Sequence, residues 1–410
     1  MATTADLIDS RAAWLRLVAA LALSTVGGVG MWSVVVALPA IQAEFGVTRA
    51  AASFPYTLTM LGFGVGGIMM GRLSDRYGVR LPLVGATFAL AIGYVAASFS
   101  SSLLMYALVQ GLLIGMLGSS ASFGPLLADI SHWFLRRRGL AVSIVASGNY
   151  LAGAVWPPIV QYLIETVGWR TAHLYIGAIC LLTMLPLTYA MRRSAPHVGG
   201  EVASAPVASR APRSLGISPF ALQTLLMIAG VACCVAMSMP QVHIVAYCAD
   251  LGYGPAVGAQ MLSIMLAFGI ISRLASGWVA DHIGGLRTLL LGSALQGVAL
   301  LFYIPFDGLV SLFIVSAMFG LFQGGIVPSY AIIVREYFAP NEAGARVGLV
   351  VMATLFGMAL GGWMSGAVFD LTGSYRATFF NGLLWNLLNL SIVIWLIRRP
   401  GRRPLAHEFV

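Results

Sequence analysis

The 410-residue chain contains no lysine, and all 23 of its basic side chains are arginine. Charge of either sign is scarce, at 9% of residues against roughly 25% in soluble proteins. Hydrophobic residues make up 59%, and the mean hydropathy is +0.89. This composition excludes a soluble domain and points to an integral membrane protein. Cysteine is equally sparse. Cys180, Cys233, Cys234 and Cys248 all fall in apolar runs without a C-x-x-C spacing, which excludes a thiolate metal site and a disulfide framework. No run carries a nucleophile beside a base or a set of metal ligands, so neither enzymatic chemistry, a cofactor nor a metal is expected. No acidic residue lies deep in any apolar run.

What is present is a series of apolar runs near 16–41, 52–72, 81–100, 103–128, 140–163, 172–191, 219–249, 256–280, 287–305, 309–333, 347–368 and 377–397. A bilayer is crossed by about 20 apolar residues, so these twelve runs read as twelve transmembrane helices. The first follows Asp6 and Asp9 and lacks a small-residue cleavage site before a polar domain, so it reads as a retained span. With an even number of spans, 19 of the 23 arginines fall on one side, and only Arg49, Arg170 and Arg376 fall on the other, with Arg273 inside. Basic residues mark the cytoplasmic side. Both termini are therefore expected in the cytoplasm, and the net charge of +9 reflects topology, not nucleic-acid binding.

The chain also repeats itself. Gly71-Arg-Leu-Ser-Asp75-Arg-Tyr-Gly78 recurs as Gly277-Trp-Val-Ala-Asp281-His-Ile-Gly284, an offset of 206 residues, about half the chain. Arg170 and Arg376 share that offset, and Trp133-Phe134 is answered by Tyr337-Phe338. Residues 192–218 are rich in Pro, Ala, Ser and Gly and read as a flexible linker. The expected organisation is a six-helix half at 1–191, the linker at 192–218, and a second six-helix half at 219–410 in the same orientation.

Parallel six-helix repeats with a site between them resemble the major facilitator superfamily, and Gly71-x-Leu-x-Asp75-Arg76-x-Gly78-x-Arg80 resembles its signature loop. Three patches resemble the monocarboxylate transporters and oxalate/formate exchangers in their bacterial branch. They are Trp133-Phe134-x-x-Arg137-Arg138-Gly139-Leu140-Ala141 with Ser147-Gly148; Ser272-Arg273-Leu274 with Gly277 and Asp281; and His243 with Tyr247 and Asp250-Leu-Gly252. The resemblance implies an all-α fold of two pseudo-symmetric bundles and an eighth-span arginine, here Arg273, that binds a substrate carboxylate. Relatives that carry dianions commonly have a second pathway cation, absent here, so a monoanion is implied. Proton-linked relatives often have an acid one turn before the arginine, where this chain has Gly269.

Arg273 is the only charged residue from Ala256 to Ala280. A mid-helix arginine costs about 2.5–3.5 kcal/mol on insertion scales and marks a bundle interior or a pathway, and its planar fork suits a carboxylate. His243, titrating near pH 6.5 when unperturbed, is a candidate for substrate or proton binding. Tyr330 and Asn149 are candidate cavity residues, with Tyr150, Trp32, Tyr56, Gln323 and Trp363 behind them. Asp75, Arg76, Arg80, Asp281 and Asp129 are expected to gate the cytoplasmic end through charge contacts between halves. The expectation is a monomeric multi-pass transporter or exchanger of the bacterial cytoplasmic membrane. It would move a lactate- or pyruvate-like anion, with protons as a candidate co-ion, lipid around it and no nucleic acid. An exporter of amphipathic drugs and a non-transporting receptor are the alternatives.

Overall fold

The computed structural model describes residues 8–193 and 215–399, apart from the side chains of Pro340 and Asn341. Most of the expected linker, 194–214, lies outside these residues. Among the described residues the regular structure is helical, and ten segments are long and apolar enough to cross a membrane. One of them, Arg138–Ala190, runs for 53 residues and folds back at Gly168, whose φ of 78° breaks the helix. It contributes two crossings. A further 29-residue helix, Arg49–Tyr77, is diluted by glycine and polar side chains but packs lengthwise against another span, giving twelve.

In chain order these are α1 (Arg11–Val36, continued by Leu38–Phe45), α2 (Arg49–Tyr77), α3 (Arg80–Ser98), α4 (Leu103–Trp133), α5 (138–167), α6 (169–190), α7 (Pro219–Asp250), α8 (Pro255–Ile283), α9 (Gly285–Phe302), α10 (Leu309–Tyr337), α11 (Pro340–Thr372) and α12 (Tyr375–Arg398). Their starts follow from local chemistry. Ser10, Thr48, Ser102 and Ser218 each accept a hydrogen bond from a backbone N–H three residues on, which satisfies an otherwise unpaired donor of the first turn.

The 206-residue offset recurs in the backbone. Gly78 and Gly284 end α2 and α8 with φ of 80° and 83°, and Gly46 and Gly252 follow α1 and α7 with φ of 60° and 83°. A side chain at positive φ is strained, so the glycines of the two signature-like loops are fixed by the same turn.

Small residues set the closest helix approaches. Gly62 and Gly66 of α2 lie against the α4 backbone at Gly111 and Met116, while Gly320 and Gly324 of α10 lie against α8 at Met265 and Gly269. Gly357 and Gly361 of α11 lie on α7 at Val231 and Val235. Glycine costs about 1 kcal/mol in a helix relative to alanine, and backbone contact of this kind is what offsets it between membrane helices. Opposite Gly62 and Gly66, α4 widens into a π turn, Gln110–Gly118, and then tightens at Ser119–Ser122.

Candidate functional site

The arginine-rich loops lie on one face of the bundle, here the basic face, and the ends carrying Arg49, Arg170 and Arg376 lie on the other. At this opposite face the two halves are joined. Arg49, at the start of α2, donates from its backbone N to Asp370 Oδ1 (2.9 Å), from Nη2 to Asp250 Oδ1 (3.1 Å) and from Nη1 to the Tyr375 hydroxyl (2.8 Å). Ala50 N donates to the second Asp370 oxygen at 2.8 Å. Asp250, Asp370 and Tyr375 belong to α7, α11 and α12, so every one of these bonds crosses between halves. Beneath them the seam continues through Ser53 beside His243, Tyr56 against Gly362, Thr57 donating to Ala359 O (3.0 Å), and Gly64 against Met352 and Leu355.

Toward the basic face the same stripe of α2 meets nothing. A Cβ built on Gly67 or Gly71 would touch no atom within 4 Å, and the same holds for Gly344 and Gly348 of α11. The seam between α5 and α8 behaves alike. Ser263 donates to Ala154 O, Leu266 lies on Gly153, Gly269 on Tyr150, and Arg273 reaches Ala146, but Gly277, one turn further, faces open space. The halves therefore form a wedge, closed at the opposite face and parted on the basic side of Arg273 and Gly64.

Arg273 sits where the wedge begins to open. Its Nη1 donates to Ala146 O at 2.8 Å, its guanidinium carbon lies 4.5 Å from the centre of the Tyr150 ring, and its Nε is buried without a partner. Both contacts are to α5 of the other half. Among the described residues no carboxylate pairs with it. Asn149, which precedes Tyr150 in the chain, has a buried Oδ1 that has no hydrogen-bond partner and lies toward Gly28 of α1. Its carbonyl accepts from Trp32 Nε1 at 3.2 Å, which ties α1 to α5. Trp32 also lies over Gly153 beside Leu266.

The structure separates the other expected residues from this group. His243 is buried in the opposite-face seam, between Gly362 O (2.9 Å), the Tyr375 hydroxyl (3.2 Å) and Ser53, with no contact to Arg273. Tyr330 is 1% exposed inside the second half, where its hydroxyl donates to Asn389 Oδ1 at 3.2 Å and also contacts Cys233. Gln323 is fully buried with both amide atoms unpaired. Asp75, Arg76, Arg80 and Asp281 are exposed, and among the described residues neither acid makes an ion pair. Asp129 is bound within its own half by a forked pair to Arg16 (2.7 and 2.8 Å), with Trp133 under the guanidinium.

Two sets of contacts between the halves have no counterpart in the expected sites. The Arg49 cluster was legible only as one of three arginines on the sparse side, all of which turn out to be paired: Arg170 with Glu44 at 2.6 Å and Arg376 with Asp307 at 3.0 Å. Tyr150 stood among the residues able to line a cavity, without a link to Arg273.

The sequence matches the Major Facilitator Superfamily over residues 20–315 and 276–409. It is 30% identical over 332 residues to monocarboxylate transporter 13 of Bos taurus, covering 79% of this chain and 75% of that one. It is 32% identical over 349 residues to monocarboxylate transporter 11 of Homo sapiens, covering 81% and 71%. Among solved structures it resembles a bacterial homologue of the human lysosomal transporter Spinster, with a TM-score of 0.71 at 13% identity, covering 95% of this chain and 98% of that one. The twelve-helix wedge and these matches together show that the chain belongs to the major facilitator superfamily and has monocarboxylate transporters among its relatives.

Proposed function

We propose that the protein carries small monocarboxylate anions of the lactate or pyruvate kind by alternating access, with Arg273 as the carboxylate anchor. One observation carries this reading. A membrane-embedded guanidinium at the apex of the wedge holds a carbonyl and an aromatic ring but no acid among the described residues, and its Nε is unpartnered. Charge-assisted bonds from a guanidinium fork to a carboxylate are about twice as strong as neutral ones, so a bound monoanion supplies the missing counter-charge. The names of the relatives support the same substrate class.

The charge balance also favours exchange over net flux. The empty carrier holds a bare cation at Arg273, which is costly in a low-dielectric interior. The loaded carrier is locally neutral there and reorients with less penalty. On the arginine distribution the basic face is cytoplasmic, and the wedge is then an inward-open state. Asp75, Arg76, Arg80 and Asp281 stand apart here and would meet only when that face closes.

The test is counterflow of labelled pyruvate in proteoliposomes loaded with unlabelled monocarboxylate. Rapid counterflow is expected, stronger than net uptake into empty vesicles, and Arg273→Lys should reduce it about 100-fold. Equal transport by that variant would remove Arg273 from recognition, and absence of counterflow in the unaltered protein would overturn the carrier reading.

A further inference from the structure

Arg273 is held from the other half of the molecule, and what permits this is a missing side chain. Gly269 lies one turn before Arg273 on the same face of α8, since residues four apart are neighbours on a helix. A Cβ built at 269 would lie 2.5 Å from Cδ1 of Tyr150 and closer still to Cε1, so the ring occupies the volume that any side chain at 269 would need. Tyr150 is only 7% exposed and has little room to retreat. On the other side of this turn, Gly324 of α10 lies against the Gly269 carbonyl and the Ser272 Cβ, so α8 cannot easily move away.

We propose that Gly269 and Tyr150 form a paired positioning device for substrate recognition. The empty position at 269 admits the Tyr150 ring, and the ring holds the Arg273 guanidinium by its face. A cation over an aromatic face is attracted by the ring without being neutralised. A carboxylate on the same turn would satisfy the arginine and compete with an incoming anion. The ring thus fixes the direction of the cation while leaving its charge for a monocarboxylate. This inference rests on the proposed role of Arg273, and Tyr150 acts through Arg273 without needing to touch the substrate.

The test measures KM and kcat of pyruvate counterflow, together with thermal unfolding, for Gly269→Ala, Tyr150→Phe, Tyr150→Ala and the double variant Gly269→Ala/Tyr150→Ala. Gly269→Ala should raise KM about tenfold by displacing the ring, with kcat within threefold. Tyr150→Phe keeps the ring but loses the hydroxyl, which also interacts with the Arg273 guanidinium, and should raise KM by about threefold at most, whereas Tyr150→Ala should again raise KM about tenfold. The double variant should be no worse than Tyr150→Ala alone, because the added methyl then has nothing to strike, and the loss of melting temperature caused by Gly269→Ala should vanish in that background.

Unchanged KM in Gly269→Ala, or singles that multiply to about 100-fold in the double, would overturn the pairing even if Arg273→Lys were inactive and the carrier reading stood. If the unaltered protein showed no counterflow while the melting temperatures still coupled, the carrier reading would fall and the pair would be packing alone, which also overturns the proposal.

Discussion

Arg49 and Arg273 are both arginines held at the contact between the two halves, and they are satisfied in opposite ways. Arg49 reaches two carboxylates and a hydroxyl, all from the other half, and sits where the halves are shut. Arg273 reaches a carbonyl and a ring from the other half and sits where they part. The first has counter-ions within the chain and can serve as a latch. The second lacks one and can serve a ligand. The repeat sharpens the contrast, because the position 206 residues beyond Arg49 is Pro255, so the latch exists in only one copy. Asp250 is likewise the repeat mate of Glu44, yet Glu44 pairs inside its own half with Arg170.

The comparison breaks most visibly if each arginine is altered and both readouts are taken. Arg273→Lys should lower pyruvate counterflow about 100-fold and leave the opposite face shut. The second readout is maleimide labelling of Ser53→Cys, a fully buried position below the latch. The four native cysteines are buried as well, so background reaction is low. Labelling in the Arg273 variant should stay within twofold of the Ser53→Cys parent. A large rise would mean that Arg273 also holds the halves together.

Arg49→Ala should do the converse. It removes charged hydrogen bonds worth about 1.5–3 kcal/mol each where fully formed, but the Asp250 side chain is 36% exposed, which weakens its share. A loss of about 1.4 kcal/mol gives a tenfold population shift, so labelling of Ser53→Cys should rise about tenfold while the KM for pyruvate stays within threefold. A tenfold change in KM with unchanged labelling would invert the assignment of latch and anchor.

The sequence made one of these two residues visible and hid the other for physical reasons. Arg273 stands out because an isolated charge in an apolar helix has no cheap explanation, and the twelve crossings emerge from the same hydropathy signal. Arg49 lies at a helix start and looks like a solvated loop charge. Its partners, Asp250 and Asp370, are 201 and 321 residues away and look like ordinary helix-end acids. Only the packing of halves brings them together. His243 and Tyr330 show the related difficulty that a polar residue in a membrane helix has several ways to be satisfied. Here the first is in a seam and the second inside a bundle. Gly269 was readable as an absence, but the Tyr150 ring that fills it comes from the other half.

A smaller effect is expected at Asp370. Its carboxylate accepts from the backbone N–H groups of Arg49 and Ala50, the first donors of a 29-residue helix, where negative charge is favoured by roughly 0.3–1 kcal/mol. Asp370→Asn keeps one acceptor but turns its amide hydrogens toward the second N–H. Labelling of Ser53→Cys should rise about threefold to fivefold, less than in Arg49→Ala because the Asp250 and Tyr375 contacts remain. Labelling equal to that of Arg49→Ala would make Asp370 the dominant member of the latch.

The smallest effect separates a gate histidine from a proton carrier. Arg49 Nη1 donates to the Tyr375 oxygen, and a carbonyl can only accept, so His243 Nε2–H must donate to Gly362 O. Nδ1 is then the acceptor for the Tyr375 hydroxyl hydrogen. This directional chain runs from the latch into α11 and uses the neutral ring. Glutamine can keep the bond to Gly362 O but loses the alignment with Tyr375, a neutral bond of about 1 kcal/mol at most. His243→Gln should therefore raise Ser53→Cys labelling about twofold to threefold and leave the pH profile of pyruvate counterflow unchanged, since His243 does not reach Arg273. A flattened pH profile with unaltered labelling would move His243 from the gate to the coupling mechanism, and Arg49 would then be the latch without its relay.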